Sequence, residues 1–394
     1  MRIYLSFLQS GDTQHPIPAY KFWQAYLKPG LEESGYQWLE HPTVDWASGL
    51  MLDTDDHHAV QTWRDRTWGP TIAAIRTAHQ EQPINLFLSY CYPHMVEEAA
   101  IRDIQAMGIP CVNYFCDNIR NFRTIPASFG IFDLNWVPEK NALPLYHKQG
   151  FASIHLPMPM WVDPKFRTLS KEECYGPTFI GTRDAQREML FAEALKYGAK
   201  LELRGRGWGP PPPHTPSMTP TPPPPRAPWP TVLKRQLAMV QQEQSVSPLL
   251  RKVANRFRKP LPDRLFEAHV RPAPNHDEFI EICQKSRIFL GVTRYPSLRY
   301  PFHQPNTYAR LREIEAPMLG ACYLTEWAAE LEDLFKIGEE IETYHDAREM
   351  VAKITRLEAD PALRTRLRRA GQKRALSEHS IGRSMEKIIQ RFRD

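Results

Sequence analysis

Arg312 and Glu315 stand three residues apart in Arg310-Leu-Arg-Glu-Ile-Glu-Ala-Pro-Met-Leu-Gly320, just ahead of the apolar run Cys322-Tyr-Leu-Thr325 and Glu326. Residues at that spacing share one face of a helix, and Gly320 supplies a natural stop. A carboxylate so placed can accept both hydroxyls of a ribose, and a neighbouring guanidinium can grip a phosphate through its planar fork. The same spacing also describes a plain surface ion pair, worth about 0–1 kcal/mol. A second anion-suited spot is Gly181-Thr182, which follows the strand-like Thr178-Phe-Ile-Gly181 and precedes a helix near Arg183, with Arg187 one turn on. Helix N-termini attract anions through free N–H groups and the dipole, and glycine lets a ligand approach the backbone. An ordinary strand-to-helix turn has the same sequence.

In the first half, Asp117 and Arg120 follow the apolar run Cys111-Val-Asn-Tyr-Phe-Cys116. Carboxyl ends of parallel strands face the ligand crevice in open α/β sheets. Asp117 is therefore a candidate base for a hydroxyl nucleophile, with an Asx-turn cap as the alternative. His15, in Gly11-Asp-Thr-Gln-His-Pro16, follows the first strand and is the second catalytic candidate; His94 and Glu139 follow later strands.

The elements that must position these residues alternate. Strands are expected at 3–8, 85–90, 111–116, 134–137 and 153–156, with helices at 20–34, 68–79, 96–107 and 141–149. After a proline-rich stretch at 157–177 the alternation restarts: strands at 178–181, 200–203, 287–292 and 322–325, helices at 183–197, 277–285, 310–319, 347–357, 361–375 and 383–392. Short buried strands alternating with helices predict parallel sheets covered on both faces, and 394 residues suggest two domains. The expected division is 1–160, a linker at 161–177, a second domain at 178–380 and a terminal helix at 381–394 that packs back on the first domain. Between 209 and 230 there are twelve prolines. Such a run favours polyproline II, so 209–264, with two helices expected at 231–244 and 249–258, reads as a basic insertion.

The net charge of +5 is uneven: residues 209–264 carry a net +7 and 360–394 a net +6, on an otherwise acidic body. No apolar run is long enough to span a bilayer, and no leader pattern opens the chain. These features point to the cytoplasm, with the basic patches suited to peripheral contact at the inner membrane face or with a partner. The basic arm lacks interleaved aromatics, which disfavours nucleic acid. Six cysteines without a CxxC pair read as reduced core residues, and no metal-ligand cluster is visible.

The stretch around Arg312, Glu315, Gly320, Thr325 and Glu326 resembles the CgeB-like (spore-protein type) glycosyltransferase family of the GT-B superfamily. Phe179–Thr182 with Arg187 and Leu203–Trp208 upstream, and Glu330–Tyr344 and Asp360–His379 downstream, are similar in kind and order. The resemblance implies a GT-B fold: two Rossmann-like parallel-sheet domains facing a cleft, the first for the acceptor and the second for a nucleotide sugar, here carrying the proline-rich insertion. It implies transfer of a hexose-type sugar from a nucleotide-sugar co-substrate of UDP type, without a bound cofactor or metal, to a glycan, lipid-linked or protein acceptor. The implied donor residues are Gly181, Thr182, Arg183, Arg187, Asn306, Arg312, Glu315 and Thr325, with Asp117 and His15 near the acceptor. Thr307 stands where wider retaining GT-B enzymes place the first of two glutamates, leaving Gln304 or Asn306 for the sugar hydroxyls. A silent nucleotide-sugar or glycan-binding protein, or an adaptor acting through 209–264, are the alternative readings.

Overall fold

The computed structural model describes residues 1–10, 19–209, 260–294 and 307–393; His15, Gln304, Asn306 and the proline-rich 210–259 lie outside them. The chain forms two compact units, Met1–Val162 with Ala375–Asp394, and Asp163–Arg374.

The first unit holds a six-stranded sheet: β1 (Arg2–Ser6), β2 (Gln37–Leu39), β3 (Leu86–Ser89), β4 (Cys111–Tyr114), β5 (Leu134–Val137) and β6 (Ser153–His155). Their order is β2-β1-β3-β4-β5-β6, and every pairing is parallel. The residues of β3, β4 and β5 are buried throughout, which is why they read as continuous apolar runs. Crossovers are carried by α1 (Ala19–Glu33), α2 (His57–Glu81), α3 (Glu98–Ala106), α4 (Asn118–Asn121) and α5 (Leu143–Lys148). Leu8, at φ 57°, turns the chain away just past β1.

The second unit holds β7 (Tyr175–Ile180), β8 (Glu202–Arg204), β9 (Ser286–Gly291), β10 (Tyr323–Glu326) and β11 (Glu342–Tyr344) in the order β11-β10-β9-β7-β8, again all parallel. Its helices are α6 (Ala185–Lys196), α7 (His276–Lys285), α8 (Arg312–Met318), α9 (Leu331–Leu334), α10 (Ala347–Ala359) and α11 (Pro361–Glu378); α12 (Ile381–Gln390) belongs to the first unit. The caps are local and polar. Asp184 accepts from the N–H of Gln186 and Arg187, Asn275 and Glu278 form a capping box, and Ser380 accepts from Arg383 N–H.

In each sheet the strand order reverses beside the first strand, between β1 and β3 and between β7 and β9. Such a reversal opens a crevice at the carboxyl ends.

Two expectations need correction. The helix expected at 68–79 spans His57–Glu81, capped by Asp56 and holding Pro70 in its interior, because Val60, Trp63, Thr67, Trp68, Thr71 and Ile75 bury one continuous stripe. The three-residue strands β2 and β11 are too short to show a pattern, and exist through their pairing with β1 and β10. Of the six cysteines, all unpaired, five are buried but Cys174 is exposed.

Candidate functional site

The crevice side of the second sheet collects charge. Arg294, three residues beyond β9, donates from Nε to Glu326 Oε1 at 2.6 Å, at the end of β10. Both side chains are nearly inaccessible. Burial pushes the Glu326 carboxyl upward against the pull of Arg294 and Arg187. Arg187 sits on the first turn of α6, donates from Nη1 to Thr182 O at 2.9 Å, and lies 3.5 Å from Asp184. Its Nε is buried without a hydrogen-bond partner among the described residues, as is Glu326 Oε2. Burial depresses the Arg187 guanidinium, and Arg310, Glu313 and Tyr344 lie within its electrostatic reach. Asp184 and Glu313 offset part of the cost of that burial, but the Nε donor still lacks a hydrogen-bond acceptor among the described residues.

Glu313 anchors this cluster. Its Oε1 accepts from Tyr323 Oη at 2.8 Å and Thr325 Oγ1 at 3.4 Å, and its Oε2 from Arg310 N–H at 2.6 Å. Thr325 is thus fully buried and engaged. Gly291 lets β9 lie against them, since a Cβ there would overlap Tyr323 Oη and Thr325 Oγ1.

Arg312 and Glu315 do form the pair that their spacing predicts, Nη1 to Oε2 at 3.0 Å. The pair is not a plain surface bridge: Glu315 is only 8% exposed, and the guanidinium lies 4.0 Å over the Phe279 ring of α7. Arg312 thus steadies Glu315, while its Nη1 makes no geometrically good hydrogen bond among the described residues.

The α6 N-terminus differs from expectation. Asp184 takes the N–H groups of Gln186 and Arg187, while Gly181 N–H bonds Arg204 O and Arg183 N–H bonds Arg206 O. Those four backbone donors are therefore already engaged. Arg183 is a brace. Its guanidinium bonds Glu188 (3.0 Å), Asp263 (2.6 Å) and Leu261 O (2.5 Å) and stacks over Phe266.

In the first unit Asp117 is half-buried at the start of α4, without a side-chain cap bond. The cap comes instead from Glu139, beyond β5, which accepts from Asn118 N–H at 2.6 Å and Ile119 N–H at 3.3 Å. Burial pushes the Glu139 carboxyl up to about 8. His94 bonds Gly49 O at 2.9 Å, and burial lowers its pKa. Arg120 is exposed.

Sequence reading passed over Arg294, Arg310 and Glu313. Arg294 was findable by the carboxyl-end argument already applied to Asp117. Glu313 has one local partner, the Arg310 N–H, but its hydroxyl partners lie ten and twelve residues on. Among the described residues no group of three or more His, Cys, Asp or Glu side chains could hold a metal, and no helix is long and apolar enough to cross a membrane.

Two open parallel sheets, each reversing strand order beside its first strand, are the architecture of the GT-B glycosyltransferases. Sucrose-phosphate synthase from Thermosynechococcus elongatus superposes with a TM-score of 0.53 at 13% identity, covering 100% of this chain and 99% of that one. Anabaena HepE in complex with UDP gives 0.55 at 11%, with the same coverage. AviGT4, a glycosyltransferase of avilamycin A biosynthesis, gives 0.52 at 13%, covering 100% and 97%. No curated protein matches by sequence. The sequence pattern of the Glycosyl transferase-like family matches residues 187–390, and the chain belongs to that family.

Proposed function

We propose that the protein transfers a sugar from a nucleotide-sugar donor, held by the second unit, to an acceptor hydroxyl. The observation that carries the reading is the buried, incompletely bonded Arg187 at the β7–β9 crevice, with Arg294 and Arg310 near it. Among the described residues Arg187 Nε makes no hydrogen bond and meets Asp184 only at 3.5 Å, and a diphosphate offers it two charges and several acceptor oxygens. Glu315, steadied by Arg312, accepts the ribose hydroxyls. Arg187 carries the diphosphate and offsets the charge that develops on the leaving group. Asp117 takes the acceptor proton. Gly181, Thr182 and Thr325 shape the loops behind the diphosphate, while Asn306 and His15 remain expectations from sequence. The structural relatives include HepE in complexes with UDP and with UDP-glucose, which supports a uridine donor. The CgeB-like subgroup and a hexosyl donor remain part of this proposal.

The test is a thermal-shift screen of nucleotides and nucleotide sugars on wild type, Glu315→Ala and Arg187→Gln. Saturating ligand raises stability by about 2.7 kcal/mol at a hundredfold excess over Kd. One nucleotide family should shift the wild type and lose its effect in both variants. A well-folded wild type that responds to no nucleotide would end the proposal.

A further inference from the structure

The first unit contains a groove of about 630 Å³ whose lining includes none of His94, Asp117 and Glu139. One wall is the segment after β2, with His41, Asp45, Ser48 and Leu52; the other is a stripe along α2, with His58, Thr62, Trp63 and Arg66. The size lies within the roughly 300–1,000 Å³ of small-molecule sites.

Its place in the sheet is not arbitrary. Trp46 and Ala47 donate N–H to Gln9 O, past the end of β1, at 2.8 and 3.2 Å. His94, past the end of β3, bonds Gly49 O at 2.9 Å. The segment that forms one wall is thus pinned across the exits of β1 and β3, where the strand order reverses and where α/β sheets bind ligands. The other wall is fixed too: Trp63 Nε1 donates to Ser48 Oγ at 3.0 Å, and the Trp63 ring packs edge-on against buried Trp46.

The lining has a definite chemistry. Arg66 and His58 are exposed and bond no other described residue. His41 accepts Thr43 N–H on Nδ1 at 3.3 Å, which leaves Nε2 as a donor. Asp45 is the carboxylate of the lining, and its Oδ1 already accepts Ser48 N–H at 3.1 Å. Thr43, Ser48 and Thr62 add hydroxyls, and Val44, Leu52 and Pro70 add apolar surface. Nitrogen donors on both walls, with hydroxyls beside them, suit a polyhydroxy ligand bearing a negative group. An anionic group gains charge-assisted hydrogen bonds from the guanidinium that a neutral hydroxyl does not.

We propose that this groove binds the acceptor of the transfer reaction, a saccharide carrying a carboxylate or phosphate that Arg66, His58 and His41 grip. The acceptor role rests on the glycosyl-transfer reading; the binding site does not.

The experiment is calorimetric titration of the full chain with glucuronic acid and with glucose 6-phosphate, against glucose as the neutral comparator. Wild type should bind at least one of the two anionic sugars at least tenfold more tightly than glucose, and the tighter of the two identifies the anionic group. Arg66→Ala, which removes the strongest charge, and Thr62→Phe, which fills the groove without changing charge, should each weaken that binding tenfold or more. The proposal is overturned if neither anionic sugar outbinds glucose, or if either variant binds as wild type does. Nucleotide-induced thermal shifts on the same variants separate the two ideas. A shift intact in Arg66→Ala shows a folded donor unit, whereas groove binding without any nucleotide shift would sink the donor assignment and leave the groove standing.

Discussion

Gly205 provides the sharpest test of how the second unit is built. It follows β8 at φ 119°, a conformation closed to residues with a side chain. A Cβ there would lie 2.6 Å from Gly181 O and 2.9 Å from Gly181 C, which is backbone and cannot swing aside. Gly181 O also accepts Trp208 Nε1 at 2.8 Å, so a displacement breaks a second bond. Gly205→Ala should therefore incur backbone strain of about 1–3 kcal/mol plus overpacking of about 1–3 kcal/mol. Gly198→Ala is the internal control. Its φ is 84°, but nothing lies within 4 Å of the added atom, so strain alone remains. In a unit of this size each kcal/mol moves the melting temperature by about 2–4 °C. Strain is common to both variants, so the overpacking alone should lower the Gly205→Ala transition by about 2–12 °C more than that of Gly198→Ala. Because Gly181 leads into the Arg187 site, Gly205→Ala should also blunt the nucleotide-induced shift, and Gly198→Ala should not. Equal melting temperatures for the two variants would refute the claim that close approach of the β8 turn to Gly181 holds this loop.

Arg183→Gln should destabilise the protein by about 3–5 kcal/mol, because Glu188 is left buried without its partner. Arg187→Gln should change stability little and weaken nucleotide binding; denaturant melts with and without nucleotide distinguish the two adjacent roles. Glu139 holds its proton to about pH 8 in the folded state but only to its ordinary 4.5 when unfolded. The folded state then binds more protons between those values, so stability falls as pH rises through that window. Glu139→Gln should flatten the dependence, and an unchanged slope in melts from pH 4.5 to 8 would show that another group sets it. Glu315→Ala should abolish the nucleotide response while leaving the melting temperature of the free protein within a few degrees.

The sequence by itself determined the two parallel-sheet layers. Runs such as Leu86–Ser89 and Cys111–Tyr114 are buried on both faces, so their apolar continuity is written locally, and caps such as Asp184 and Asn275 are side chains bonding to their own helix. The Arg312–Glu315 pair was legible for the same reason, since helical spacing alone brings the two together. Tertiary structure decided what each charge does. Arg183 and Arg187 are the same residue type four positions apart, yet one is consumed by Asp263, eighty residues away, and the other keeps a donor without a hydrogen-bond partner among the described residues. Within the basic C-terminal segment, Arg364 is buried against Glu173 and Arg368 against Gly320 O and Gln284 O, while Arg366 and Arg369 are exposed. The three-residue strands, the Glu139 cap and the groove at Arg66 likewise depend on distant segments meeting. Spacing along a chain fixes which residues share a helix face or a strand, but the partner of a buried charge is chosen by chain return, which no local pattern encodes.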